Sequence, residues 1–257
     1  MKPAVAALML LCLAAGGCGG GTASLRYAYP QGQVTTYRWT VDATTTPSGA
    51  PGRSLHLEAV VRERVVGRVG GGGGRLEAVL EPGDAVQDGR HVNPGPALTL
   101  DLDVGPDGHV TRVGATSSLP AGAVGSLGLD RLLAESRPPL PARGVRLRDR
   151  WNADLATFAP AASGAGSTID LVGTGRLERF VLRDGRRIAA LTIERRGRVA
   201  TGSDGPNATG TATDTTAAEF DLDRGLVIDA TSKALTNVTF ASGPVQVALT
   251  ARMTLGG

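Results

Sequence analysis

The feature that most limits what this chain can fold into is a two-residue period that recurs along nearly all of it. Leu98, Leu100, Leu102 and Val104 alternate with Thr99, Asp101 and Asp103. Tyr37, Trp39 and Val41 alternate with Arg38, Thr40 and Asp42, and Leu55, Leu57, Ala59 and Val61 with His56, Glu58, Val60 and Arg62. Such a period sets apolar side chains on one face of a half-buried strand. Turn residues divide the patterns: five glycines at Gly70 to Gly74, Pro106-Asp107-Gly108, Asp184-Gly185 and Arg224-Gly225. Strands joined this tightly are antiparallel neighbours. Several patterns run to about 12–15 residues, longer than the usual ~5–6, and long strands curl. The expected fold is therefore mainly all-β, a long-stranded antiparallel curved sheet or half-barrel.

Interruptions refine that expectation. Val60-Val61 and Val65-Val66 break the alternation and predict a bulge. Gly173-Thr174-Gly175, inside a strand pattern, reads as a bulge or a close backbone approach. The stretch from Pro82 to Pro96 reads as irregular, Gly202 to Thr211 as a polar loop, and Leu147 to Phe158 as a strand around Trp151. The character changes between Ala121 and Ser136, where Val124, Leu127, Leu132 and Leu133 fall near helical spacing before Pro138, Pro139 and Pro141. That predicts one short helix within residues 119–141.

The helix separates two stretches that align with each other. A shift of 112 carries Trp39 onto Trp151, Gly32 onto Gly144, Leu57 onto Ile169 and the glycine hairpin onto Asp184-Gly185. Beyond that the shift becomes 120, carrying Asp101, Leu102, Asp103 and Gly105 onto Asp221, Leu222, Asp223 and Gly225. Two pseudo-repeats follow, residues 25–118 and 142–257, joined by the helical linker 119–141 into one domain.

Residues 1–17 read as a signal peptide, with Lys2 before the apolar run Ala4 to Ala15. The small residues Ala15-Gly16-Gly17 then lead directly to Cys18. This arrangement resembles a bacterial lipobox, with Ala15 where Leu is usual, which implies diacylglyceryl lipidation of Cys18. Residues 18–24 would be the lipidated tether. The alternative is a plainly secreted chain in which Cys18 is incidental. No other cysteine remains after the signal, so packing alone must hold the exported domain together.

Charge and site chemistry narrow the function. The formal net charge is +3, or +2 without Lys2, with both signs interspersed, which argues against a nucleic-acid partner. Arginine is the cation almost everywhere, lysine occurring only as Lys2 and Lys233. His56, His91 and His109 have no ligand-spaced Cys or His, so no metal is expected. Ser126 has Gly128 two after it but Val124 two before, so it is not a nucleophile elbow, and Gly70 to Gly74 lacks the Lys-Ser/Thr of a phosphate loop. The passage from Asp101 to Gly108 departs from a calcium loop at its third and twelfth positions. No catalytic constellation and no cofactor site is found.

Three further passages carry a family resemblance: Leu25-Arg26-Tyr27-x-Tyr29-Pro30-x-Gly32 with Tyr37, Leu140-Pro141 leading to Asp149-Arg150-Trp151, and Phe220-Asp221-Leu222-Asp223-x-Gly225-Leu226. With the lipobox, they resemble the exported lipoproteins of uncharacterised function from high-GC bacteria. The resemblance implies a location at the outer face of a cell membrane and a β-rich fold, and no reaction. The expected function is non-enzymatic: an envelope lipoprotein that binds a lipid-like or amphipathic ligand in its curved sheet. Trp39, Trp151, Phe158 and Phe180 would line the ligand, with Leu132 and Leu133 from the helix. The alternative is a protein-binding or scaffold module of the envelope, using Val245 to Leu255 as a sparsely charged edge strand. A hydrolase pairing Asp101 with Asp221 is the weakest option.

Overall fold

The computed structural model describes residues 22–115, 136–157, 167–201, 209–240 and 243–256. Thirteen strands form one antiparallel sheet: β1 (Val34–Pro47), β2 (Arg53–Val69), β3 (Gly73–Gln87), β4 (Arg90–His91), β5 (Leu98–Val104), β6 (Val110–Ala115), β7 (Arg150–Asn152), β8 (Leu155–Thr157), β9 (Ser167–Arg183), β10 (Arg186–Thr201), β11 (Thr209–Asp221), β12 (Leu226–Phe240) and β13 (Gly243–Leu255). The order is β6-β5-β3-β2-β1-β13-β12-β11-β10-β9-β7, with β4 beside β3 and β8 beside β9. The path ends at β6 and β7, so the sheet is unclosed. It is also strongly curved. Leu76, Leu100 and Leu102 from one side of the path share a core with Leu177, Leu191 and Phe220 from the other. A flat sheet cannot bring them together.

Among the described residues there is no α-helix, only a 3-10 turn at Gly70–Gly72 inside the β2–β3 hairpin. Most of the expected helix falls on residues 119–135, outside those described, and residues 136–141 are not helical. The hairpin at Asp184-Gly185 forms as expected, with φ of 51° and 76°, and Asp88-Gly89 closes another with 50° and 77°.

Three departures have physical reasons. Strand β3 continues through Pro82 because the pairing with β2 shifts register between Leu57 and Ala59, opposite that proline, where a missing N–H is tolerated. A second shift, between Val65 and Gly67, falls where the Val65-Val66 break predicts it. Strand β11 begins at Thr209, inside the expected loop, because its inward positions include Asp214 and Thr216, which hide the period. Strand β13, expected as an edge, is central instead, paired with β1 and β12 along its length. Its scarcity of charge reflects neighbours on both sides.

The two ends of the curved sheet differ. One end, here the closed end, collects the turns at Gly70–Gly72, residues 105–109, Asp184-Gly185 and residues 222–225. Residues 23–32 cross it as a strap. The Tyr27 N–H donates to the Pro106 carbonyl, the Ala28 N–H to Gly225 and the Gly32 N–H to Val65, each at 2.9 Å. Turns from both sides of the path are thereby tied together. The opposite end, the open end, holds the β1–β2 connection and the starts of β9, β11 and β13.

Candidate functional site

At the closed end the strap plants aromatic side chains in the concave face. Tyr27 stacks on Tyr29 with ring centroids 6.2 Å apart and meets Phe220 edge-on at 5.2 Å. Glycine makes the room. A Cβ at Gly74 would lie 2.5 Å from Tyr29 Cγ, and one at Gly108 2.4 Å from Tyr27 Cε2. The Tyr27 hydroxyl donates to the Pro138 carbonyl at 3.1 Å and the Tyr29 hydroxyl to Gly105 at 3.2 Å. Beside them Arg137 and Glu63 form a buried ion pair. Burial pushes the Tyr27, Tyr29 and Tyr37 phenols well above their ordinary value. They stay protonated, and Tyr27 and Tyr29 serve as donors. Burial pulls the Arg137 guanidinium down, but Glu63 together with Tyr29, Tyr37 and Tyr27 more than offsets this, so it stays charged.

This cluster borders a cavity of about 30 Å³, lined also by Gln33, Thr35 and Met253. That volume is on the scale of one or two water molecules, not of a lipid or metabolite. Arg137 Nη1 and Gln33 Oε1 line it without hydrogen-bond partners among the described residues, a donor and an acceptor sharing one small space.

The open end is built differently. Arg195 and Asp214 are direct cross-strand partners on the inward faces of β10 and β11. Arg195 Nη1 donates to Asp214 Oδ2 at 2.7 Å, and Nε donates to the Ala153 carbonyl at 3.0 Å. Thr216 and Ser232 continue the polar row, their hydroxyl oxygens 2.8 Å apart. Burial raises the Asp214 carboxyl, and Arg195 offsets this only in part. The arginine reaches Ala153 because Gly173 lies beneath it, where a Cβ would come within 2.4 Å of Arg195 Cγ. The next inward residue, Gly175, leaves the same space for the Trp151 ring, 2.2 Å from a would-be Cβ. The Gly-Thr-Gly stretch is thus a close approach, while the bulge in this hairpin falls at Ala190/Leu191. Past the polar row, Ala234, Thr236 and Val238 on β12, Val245, Val247 and Leu249 on β13, and Ala43 on β1 form a half-buried wall of small and apolar side chains.

The residues expected to line a ligand are dispersed. Trp39 is buried in the main core opposite Met253, its indole N–H without a partner among the described residues. Trp151 is half-buried against the main core, donates to the Pro139 carbonyl at 2.9 Å and sits over Gly175, two residues along β9 from the Gly173 beneath Arg195. Phe180 is exposed near the β9–β10 turn, at the other end. Phe158, Leu132, Leu133 and Cys18 lie outside the described residues. The acidic passage before Gly108 is engaged piecemeal, Asp103 with Arg75 at 2.8 Å and Asp107 with the His109 N–H at 3.1 Å. Sequence reading missed Glu63, Arg195 and Asp214. Each stands in phase with inward apolar residues, as in Leu191, Ile193, Arg195 and Val199, and a charge in that phase is the signal that marks it. Arg137, among prolines, gives none.

The convex face is charged and hydroxylated: Glu58, Arg62 and Arg64 on β2, Arg196 and Arg198 on β10, and Thr211, Thr213 and Thr215 on β11 are all exposed. A membrane-spanning barrel has the reverse, an apolar outside and a polar interior. This convex face suits water.

No family profile and no curated protein sequence matches the chain. Among solved structures, an outer membrane channel from Pseudomonas putida F1 is 12% identical over 90% of this chain and 97% of the channel, with a TM-score of 0.30. A protein of unknown function from Nostoc punctiforme is 11% identical over 85% of this chain and 95% of its own, with a TM-score of 0.12. The first is a bacterial envelope protein. Likenesses this distant carry no argument about what this chain does.

Proposed function

We propose that this protein is a non-enzymatic envelope lipoprotein, anchored through a diacylglyceryl group on Cys18, that holds a lipid-like or amphipathic ligand at the open end of its sheet. One observation carries the reading: a half-buried apolar wall stands directly beside a buried, hydrogen-bonded Arg195–Asp214 pair. Apolar lining with a few convergent polar groups is the usual composition of a small-molecule site. Trp151, packed against the main core that contains Trp39, reaches toward this place over Gly175, whereas Phe180 belongs to another surface. Within this reading, β1-β2-β3-β5-β6 and β7-β9-β10-β11-β12 are two copies of one five-stranded unit, each beginning at a tryptophan strand and joined through β13. Their shared concave face is where a ligand would sit.

Mass spectrometry of protein purified from membranes of a related host tests both parts. The expected results are a diacylglyceryl mass on Cys18 and one stoichiometric lipid in the organic extract. In Leu249→Arg, the extract should be empty while the far-ultraviolet spectrum stays native. An acylated wild type with an empty extract overturns the ligand and leaves the anchor. Unmodified Cys18 overturns the anchor.

A further inference from the structure

The β9–β10 hairpin ends in a surface that the ligand reading does not use. Phe180 and Leu182, two residues apart and so on one face, are 42% and 73% exposed. Strand β7 covers β9 only at Thr174 to Arg176, and the loop that follows the edge reaches Leu177, where the Arg148 N–H donates to its carbonyl at 2.8 Å. On that loop Leu147 is 51% exposed. Arg146 and Arg148 flank Leu147 in the chain and Arg179 directly precedes Phe180, and all three arginines are exposed. Arg183 and Arg187 stand nearby but are held by Glu219 and Asp223 at 2.7 Å.

The chain's own N-terminus arrives at this place. Ala23 pairs with Val145, two residues before Leu147, exchanging N–H and carbonyl groups at 2.8 and 2.9 Å. If Cys18 is acylated, residues 18–22 can span at most about 3.5 Å each, which keeps this edge within roughly 20 Å of the bilayer. Exposed apolar side chains with exposed arginines next to them in the chain match an anionic membrane surface in both chemistry and charge. We infer that the closed end, through Leu147, Phe180, Leu182 and the arginines Arg146, Arg148 and Arg179, rests on an anionic lipid surface and turns the open end away from it. The inference rests on the anchoring reading above. The anchor fixes distance, and the surface fixes orientation.

The test uses acylated protein carrying Leu182→Cys, labelled with an environment-sensitive fluorophore and reconstituted into vesicles. Acylation is checked by intact mass before reconstitution, so failure of the anchor is seen separately. A blue shift is expected in vesicles containing phosphatidylglycerol, lost at high salt and absent in pure phosphatidylcholine. A probe at Thr46→Cys, by the open end, should not respond. Replacing Arg146, Arg148 and Arg179 with Gln should weaken the interaction by about fivefold per arginine. Equal response in both lipids, response at Thr46→Cys, or silence at Leu182→Cys in acylated protein would each overturn the inference. Silence in vesicles with a response to envelope extract would assign the patch to a protein partner instead.

Discussion

The two ends of the sheet solve one problem in opposite ways. A curved antiparallel sheet must cover its concave face, and at the closed end the chain does so itself, with a strap, three tyrosines and a buried ion pair around a water-sized cavity. At the open end the same strands carry smaller inward side chains, a buried polar row and a wall left half-buried. The closed end spends its inward positions on packing apart from Glu63, which meets Arg137 among the tyrosines. The open end keeps polar groups where packing alone would place apolar ones, which is what a recognition surface needs and a core does not. If this division holds, substitutions at the closed end should change stability and leave ligand content alone, and those at the open end should do the reverse.

The largest effect is expected from Arg137→Ala. It leaves Glu63 buried without its cation, and breaking a buried pair from one side costs about 3–5 kcal/mol. Replacing both partners, Arg137→Met with Glu63→Leu, should recover most of that, because the desolvation cost of two charges disappears with them. Urea unfolding of the three proteins decides the matter. A double variant as unstable as the single one would mean that the pair organises the strap, not merely fills space.

Phe220→Ala and Leu249→Ala then compare the ends directly. Phe220 is fully buried against Tyr27, and its truncation should cost about 3–5 kcal/mol. Leu249, half-buried on the wall, should cost only about 1 kcal/mol, in line with its partial burial. Ligand recovered per folded protein should stay constant in the first and fall in the second. Equal costs with equal recovery would erase the distinction between the ends.

Most of the sheet was legible because its inward faces are plainly apolar, as in Leu98 to Val104, and its turns carry Asp-Gly. What escaped did so for physical reasons. Strand β11 hides because a strand that buries Asp214 and Thr216 loses the hydrophobic period. Strand β13 looks like an edge because low charge fits either a naked strand or a fully paired one, and only the pairing tells them apart. The sites were less legible than the fold. Glu63, Arg195 and Asp214 betray themselves only once the inward phase of each strand is known. Arg137 has no periodic neighbours, and its partner lies 74 residues away. The three tyrosines were visible as a motif, but their convergence depends on Gly74 and Gly108 making room, a relation between strap and sheet that linear spacing does not encode.

A methyl group added at Gly175 tests how the open end is covered. Its Cβ would meet the Trp151 ring at 2.2 Å, so the ring must move. Overpacking of this kind costs about 1–3 kcal/mol. Gly175→Ala should also shift tryptophan fluorescence and, if Trp151 borders the ligand, lower ligand recovery. Unchanged fluorescence would mean that the ring is not seated on Gly175 in solution.

The smallest effect expected is a pH dependence at Asp214. Burial raises its carboxyl in the folded chain, so the folded state holds the proton more tightly than the unfolded state does. The stability this contributes is complete below the ordinary aspartate value and is lost as pH rises through the folded one. Other carboxylates act with the opposite sign. Asp88, hydrogen-bonded by the Ser54 N–H, Asp103 by Arg75 and Asp223 by the Arg187 N–H are held below the ordinary range, and their contribution is lost as pH falls. His56, raised by its hydrogen bond to Asp42, loses its contribution as pH rises above about 6.5, a higher window. A single stability curve therefore mixes signs, and the difference between wild type and Asp214→Asn is the quantity to read. Just above the ordinary aspartate range, wild type should lose stability relative to the variant as pH rises, and His56→Gln should leave that difference untouched. A difference that stays flat there would mean that Arg195 fully compensates the burial of Asp214, and the polar row would then be a satisfied ion pair with nothing left to offer a ligand.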